Sequence, residues 1–482
     1  MVKWMFLGLI LVLNFSLCAQ NSNNNPEGYW YGQLELMGSK FELLLIVSQD
    51  FNPKNNKPIK GKYVLELLNP ADSSVYPVKA SDVVVNNKKF AFKIPDLNLT
   101  YSGLPNHAFT ETNGTFEQNG MKTPLKLGRI RFELPKSSRP QTPLPPFVYK
   151  SREVIIPHIK ESFTLVGTLT LPADTTKPFP IVVMATGSGP QNRDEEILEH
   201  KLFWVLADYL AKNGIGSLRF DDRGVGKSGG EYASCDLIGF SEDLESAFAY
   251  VKKIIVFGKH KIGLLGHSEG AMHAWMLTQR RKDIDFLISL AGPSKHGRDV
   301  IQKQQYDIVY DLTKDQKKAA FNQGLFIGMI DILTKSEDVV VTNGLLREFI
   351  TAMHKNAPKY IQEANPLEVL LSNLPPFLNN AWGRQFVIWN PEDYIPKYEN
   401  PVLFIIGEKD LQVHAKSNYD GYLRLQNPKS NKLSEAHLLP GLNHLLQTCK
   451  SCSITEYGEL EETVAPIVLE KIVGFIRNLN QG

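Results

Sequence analysis

The sequence predicts a mainly parallel β-sheet with helices on both faces and a helical cap, preceded by a small all-β domain. Three observations predict it. Short strand-like runs separated by Gly, Asn, Asp and Pro clusters fill positions 29–132. After Tyr149 strand patterns alternate with helical ones, the mark of parallel strands covered on both faces. Between 294 and 396 that alternation stops, which reads as a cap inserted over the sheet. The length of 482 residues fits two or three units at roughly 150 residues each.

The first element, 1–19, reads as an export signal. Lys3 supplies the positive charge, an apolar stretch runs from Trp4 to Leu17, and Ala19 precedes Gln20. Asn14 and Ser16 interrupt the stretch, which is too short for a membrane span of about 20 residues. The mature chain is therefore expected in the periplasm or outside the cell. A lipid anchor on Cys18 is the weaker reading, because bulky Leu17 stands where such signals carry a small residue.

The β domain is expected over 27–134, with strands at 29–37, 41–48, 61–68, 83–86, 89–94 and 125–132, as a small barrel or a sandwich. Tyr29, Trp30 and Tyr31 read as core rather than as a binding platform. A Pro-rich linker occupies 135–148 and should be extended. The second domain, 149–482, has candidate strands at 161–171, 181–186, 215–220, 261–266, 286–291, 402–407 and 434–439. Its candidate helices are 202–212, 241–257, 268–281 and 462–478.

The sharpest chemical signal is Gly266-His267-Ser268-Glu269-Gly270, between the apolar run Ile262–Leu265 and a helical run. This is G-x-S-x-G in the strand–turn–helix context that lifts a serine hydroxyl off the sheet. Glycines are required because side chains at the flanking positions would collide with strand and helix. A serine hydroxyl needs a base, and the base needs an acid to orient it. Asp410, after the strand at 402–407, is the candidate acid, with Glu408 as runner-up. His444 follows the next strand and is the candidate base. His437 lies inside that strand and reads as a packed core residue; His414 reads as a surface residue near Asp410. The backbone N–H groups of Glu269 and Ser188 are the candidate oxyanion donors, and Gly187 and Gly189 could substitute for Ser188.

Composition excludes other classes. The net charge of +2 offers no field for nucleic acid. Gly224-Val225-Gly226-Lys227-Ser228 resembles the end of a phosphate loop, but Asp221 stands where that loop needs Gly. Asp221, Asp222 and Arg223 read instead as braces. No metal-ligand spacing occurs and no cofactor is called for. Asn98 and Asn113 open glycosylation sequons, meaningful only in a eukaryotic secretory host. Of the four cysteines, Cys449 and Cys452 form either a local disulfide or two idle thiols.

The segments TGSGPQNRDEE from Thr186, FDDRGVGKSGG from Phe220, GHSEG from Gly266 and GLNHLLQ from Gly441 resemble exported α/β hydrolases. Within them the carboxylesterase and serine-aminopeptidase-like branch is the most similar. The resemblance covers 154–478. It implies Ser268, Asp410 and His444 as a triad, Ser188 and Glu269 as oxyanion donors, and a small-molecule or glycan-linked ester as substrate. Thr186-Gly187 replaces the His-Gly of the wider superfamily, as is typical of this branch. Two alternatives stand beside an esterase of short acyl groups: a peptidase using the same triad, and a glycan- or lipid-binding protein with a degenerate hydrolase domain.

Overall fold

The computed structural model describes residues 25–479 except 37–38, 52–57, 69–77, 96–97, 119–120, 131–137, 256–259, 337 and 431. The export signal at 1–19, with Cys18, lies outside the described residues. The chain divides into two compact units, one holding the N-terminal domain and residues 354–373, the other holding the remainder.

The N-terminal unit has nine strands: β1 (Gly28–Leu36), β2 (Ser39–Phe51), β3 (Pro58–Leu68), β4 (Val78–Lys79), β5 (Ser81–Asn86), β6 (Lys89–Ile94), β7 (Leu99–Pro105), β8 (Glu111–Gln118) and β9 (Met121–Ile130). They form one antiparallel sheet in the order β4-β3-β2-β1-β9-β8-β7-β6-β5. The two ends of that order, β4 and β5, are joined through Ala80 alone, whose N–H donates to Leu65 O (2.8 Å). The sheet therefore curls round into a barrel rather than a sandwich, which removes free edges. Trp30, fully buried, packs on Phe90 at 4.8 Å and donates its indole N–H to Pro26 O (2.9 Å). Strands β7 and β8 were not anticipated, because Gly103, Pro105, Asn113 and Gly114 look like turn residues. Gly114 is needed inside its strand: a Cβ there would lie 2.5 Å from Ser102 O.

The second unit begins with β10 (Lys150–Pro157), β11 (Thr164–Leu171) and β12 (Ile181–Ala185). A two-residue hairpin, β13 (Glu196–Ile197) and β14 (His200–Lys201), precedes α1 (Leu202–Lys212). Then follow β15 (Gly216–Phe220), α2 (Leu237–Ile254), β16 (Ile262–His267), α3 (Glu269–Arg280) and β17 (Phe286–Leu290). Six helices come next along the chain, α4 (Gly297–Thr313), α5 (Gln316–Leu333), α6 (Val339–Asn356), α7 (Lys359–Ala364), α8 (Leu367–Leu378) and α9 (Ala381–Ile388), of which the end of α6, all of α7 and the start of α8 cluster with the N-terminal unit. The chain closes with β18 (Val402–Gly407), α10 (Ala415–Leu425), β19 (Glu435–Leu439) and α11 (Pro466–Asn478). Eight of the strands make one sheet, β10-β11-β15-β12-β16-β17-β18-β19, antiparallel as far as β15 and parallel from there on.

Burial explains the composition of these strands. β12, β15, β16, β17 and β18 are buried at every residue, so they show no apolar–polar alternation, although β15 buries Ser217 and Arg219 and β17 buries Ser289. β10 escapes that reading because it is an edge strand with an exposed face. α2 starts earlier than its periodicity suggests, where the Asp236 side chain accepts from Gly239 N (2.8 Å). α11 starts later, at Pro466, whose fixed φ suits the first helical position. The described part of the linker is fastened down: the Arg139 guanidinium donates to Leu198 O, Gly458 O and Leu460 O. Among the described residues no helix is long and apolar enough to cross a membrane.

Candidate active site

The parallel register brings the chemistry together. Ala185, the last residue of β12, pairs with Gly266 in β16, so the loop after β12 lies beside the turn that carries Ser268. Ser268 sits at φ 53°, ψ −121°, a left-handed strain for a residue with a Cβ. The flanking glycines permit it. A Cβ on Gly266 would lie 2.3 Å from Ala271 N, and one on Gly270 would lie 2.1 Å from Ala185 O.

Ser268 Oγ lies 3.1 Å from His444 Nε2. His444 Nδ1 lies 2.8 Å from Asp410 Oδ2. With the ring proton on Nδ1 donated to that carboxylate, Nε2 carries the lone pair that accepts from the serine hydroxyl. Asp410 Oδ1 accepts from Gln412 N and Val413 N, both at 2.8 Å. Asp410 and His444 are each 3% exposed, so the relay is shielded from water. Glu408, the runner-up acid, is exposed and faces Gly441 N and Lys409.

Glu269 N and Ser188 N donate to no protein acceptor among the described residues. Gly187 N is committed to Glu195 Oε1 (2.6 Å), which removes it as a free donor. Ser188 Oγ donates to Glu269 Oε2 (2.6 Å).

Behind these groups lies a layer that sequence reasoning missed. Glu195 is fully buried, and its Oε1 faces His267 Nδ1 at 2.8 Å as well as Gly187 N. His267 Nε2 lies 3.1 Å from His444 O. Burial drives the His267 ring toward neutrality, but the Glu195 carboxylate outweighs it and raises the pKa above the usual value. Glu195 has φ 47°, which turns it inward from the charged run Asp194-Glu195-Glu196. That run reads as a solvated face, so only the left-handed turn could have revealed it.

The braces expected of Asp221, Asp222 and Arg223 are present. Asp222 accepts from Thr186 Oγ1 (2.7 Å) and Gln191 N (2.8 Å), and burial pushes its carboxyl well above the usual range. Asp221 holds Arg193 (2.7 Å), and Arg223 holds Asp243 (2.7 and 2.9 Å). His437 corrects an expectation: it is half-buried on edge strand β19 beside Glu435 (2.9 Å), not packed in the core. His414 caps α10, accepting from Ser417 N. Cys449 and Cys452 are bonded (S–S 2.07 Å) just after His444, and burial pushes the Cys235 thiol up to about 12. No cluster of metal-ligating side chains occurs among the described residues.

The family model described as serine aminopeptidase, S33, matches residues 199–357. Esterase EstD of Thermotoga maritima is 33% identical over 142 residues, 29% of this chain and 33% of that protein. This chain thus matches about a third of that relative's length. Among solved structures, Est1E from Butyrivibrio proteoclasticus with bound ferulic acid is 16% identical. The overlap covers 68% of this chain and 100% of that one, with a TM-score of 0.40. An esterase of Pyrococcus furiosus is 17% identical over 71% of this chain and 98% of its own, also at 0.40. Likeness of that size adds nothing to the topology already described.

Proposed function

We propose that this chain, an α/β hydrolase, is an exported serine carboxylesterase that cleaves short acyl esters, acetyl groups on glycans included. The observation that carries the reading is the unbroken line from Ser268 Oγ through His444 to Asp410, at 3.1 and 2.8 Å. Ser268 Oγ attacks the ester carbonyl carbon while His444 Nε2 takes its proton. The carbonyl oxygen becomes an oxyanion facing the N–H groups of Ser188 and Glu269, at the N-terminus of α3. His444 then protonates the alcohol oxygen, the C–O bond breaks, and an acyl-enzyme remains. Water, deprotonated by His444, attacks the acyl carbon and frees Ser268. No step calls for a cofactor.

Ser268→Ala should lower turnover of an aryl acetate by on the order of 10³-fold or more with the fold intact. A fluorophosphonate should label Ser268, read by peptide mapping. Full activity in Ser268→Ala would sink the reading. The serine aminopeptidase description of the matching family model supports a second reading, a peptidase with the same triad. A panel of acyl esters against aminoacyl amides separates the two, and faster amide cleavage would favour the peptidase.

A further inference from the structure

Glu269 does more than supply a backbone donor. Its side chain is 2% exposed, and two donors converge on one of its oxygens. Ser188 Oγ donates to Oε2 at 2.6 Å, and the indole N–H of Trp382, on cap helix α9, donates to the same oxygen at 3.0 Å. The other oxygen lies 3.3 Å from His273 Nε2. We propose that Glu269 is a positioning residue whose one carboxylate oxygen ties the oxyanion loop to the cap, so that cap placement sets the spacing of the two oxyanion donors. The proposal rests on the esterase reading above.

The argument is geometric. One donor is the N–H of Glu269 itself, and the other is the N–H of Ser188, the residue its side chain grips. A single residue therefore fixes both, and their separation must match a tetrahedral oxyanion rather than the ground-state carbonyl. A carboxylate close to a developing oxyanion would repel it. Here the Ser188 hydroxyl and the Trp382 indole N–H, both donating to Oε2, offset the Glu269 charge. A bond shared at one oxygen is also coupled: when Trp382 moves away, Oε2 is free to rotate and Ser188 loses its anchor. Trp382 packs on Phe386 of the same helix at 5.2 Å, so a shift of α9 carries the indole with it. Binding energy spent there is realised in the transition state and appears in kcat rather than in KM.

The test is a double-variant cycle on the full chain with an aryl acetate. Ser188→Ala keeps the backbone donor and removes the tie; Trp382→Phe keeps an aromatic ring and removes the N–H. Each should lower kcat about tenfold with KM within about twofold, and the double variant should lose little more than either alone. Glu269→Ala should lower kcat by about a hundredfold, and Glu269→Gln, which retains an oxygen acceptor, should recover most of it. Multiplicative losses in the double variant, or changes confined to KM, would overturn the proposal. If Glu269→Ala does not fold, the Ser188/Trp382 cycle decides alone. Failure of fluorophosphonate to label wild-type Ser268 overturns the esterase reading itself, a result separate from any of these.

Discussion

At the scale of single residues, Ser268, His444 and Asp410 meet side chain to side chain, while the layer behind them holds backbone. Glu195 accepts from both Gly187 N and His267 Nδ1, and His267 in turn reaches His444 O. Glu195→Ala leaves buried His267 Nδ1 and part-buried Gly187 N without that acceptor, at a cost of about 1–3 kcal/mol for the buried one and less for the other. A drop in denaturation midpoint together with slower Ser268 labelling is expected; an unchanged midpoint would remove Glu195 from the support. Ser268, Asp410 and His444 were legible because their chemistry sits at strand ends in a fixed order along the chain. Glu195 was not, since its role depends on a left-handed turn that no local pattern announces. His437 misled for a related reason: an apolar strand pattern does not say that the strand lies at the sheet edge.

At the scale of elements, the turn between β16 and α3 tolerates no added carbon. Gly270→Ala would place Cβ 2.1 Å from Ala185 O, against backbone that cannot move without opening β12 from β16. Overpacking of this kind costs about 1–3 kcal/mol and more where backbone must shift. We expect a lower melting temperature and loss of labelling together; retention of both would contradict the packing described. The β13–β14 hairpin carries a pH-dependent tie. His200 Nδ1 lies 3.0 Å from Thr463 Oγ1 and Nε2 lies 2.9 Å from Tyr457 O, an arrangement that suits a neutral ring. Burial, with Arg139 nearby, pushes its pKa down from 6.5 to about 4. The folded value is depressed, so the stability His200 contributes is complete above pH 6.5 and is lost as pH falls through 4. Thermal melts should weaken over that interval, and His200→Gln should flatten the slope. Identical slopes would refute it. Four of the helices, α1, α2, α3 and α11, were legible from periodicity, though the first turns of two depended on Asp236 and Pro466; the individual helices between β17 and β18, and α10, were not placed.

At the scale of the whole molecule, each unit has its own apolar core, one around Trp30, Phe90 and Tyr101 and another around Phe203, Phe286 and Ile405. Denaturation should therefore proceed in two transitions. Trp30→Ala, which removes a fully buried indole, should shift only one of them, by about 3–5 kcal/mol. Esterase activity should follow the other transition; activity lost with the Trp30-sensitive step would overturn that division. The change of character near Tyr149 is visible in the sequence, whereas the placement of 354–373 with the N-terminal unit and the closure of the barrel where β4 and β5 meet are not. The cap has a further consequence. A connection between neighbouring parallel strands needs only a dozen or so residues. Between β17 and β18 it runs from 291 to 401, while Leu287 and Val402 keep their register. The surplus is not needed to hold the two strands together, and residues 354–373 of it cluster with the N-terminal unit. Changes of length within the surplus should leave the pairing of β17 with β18 intact.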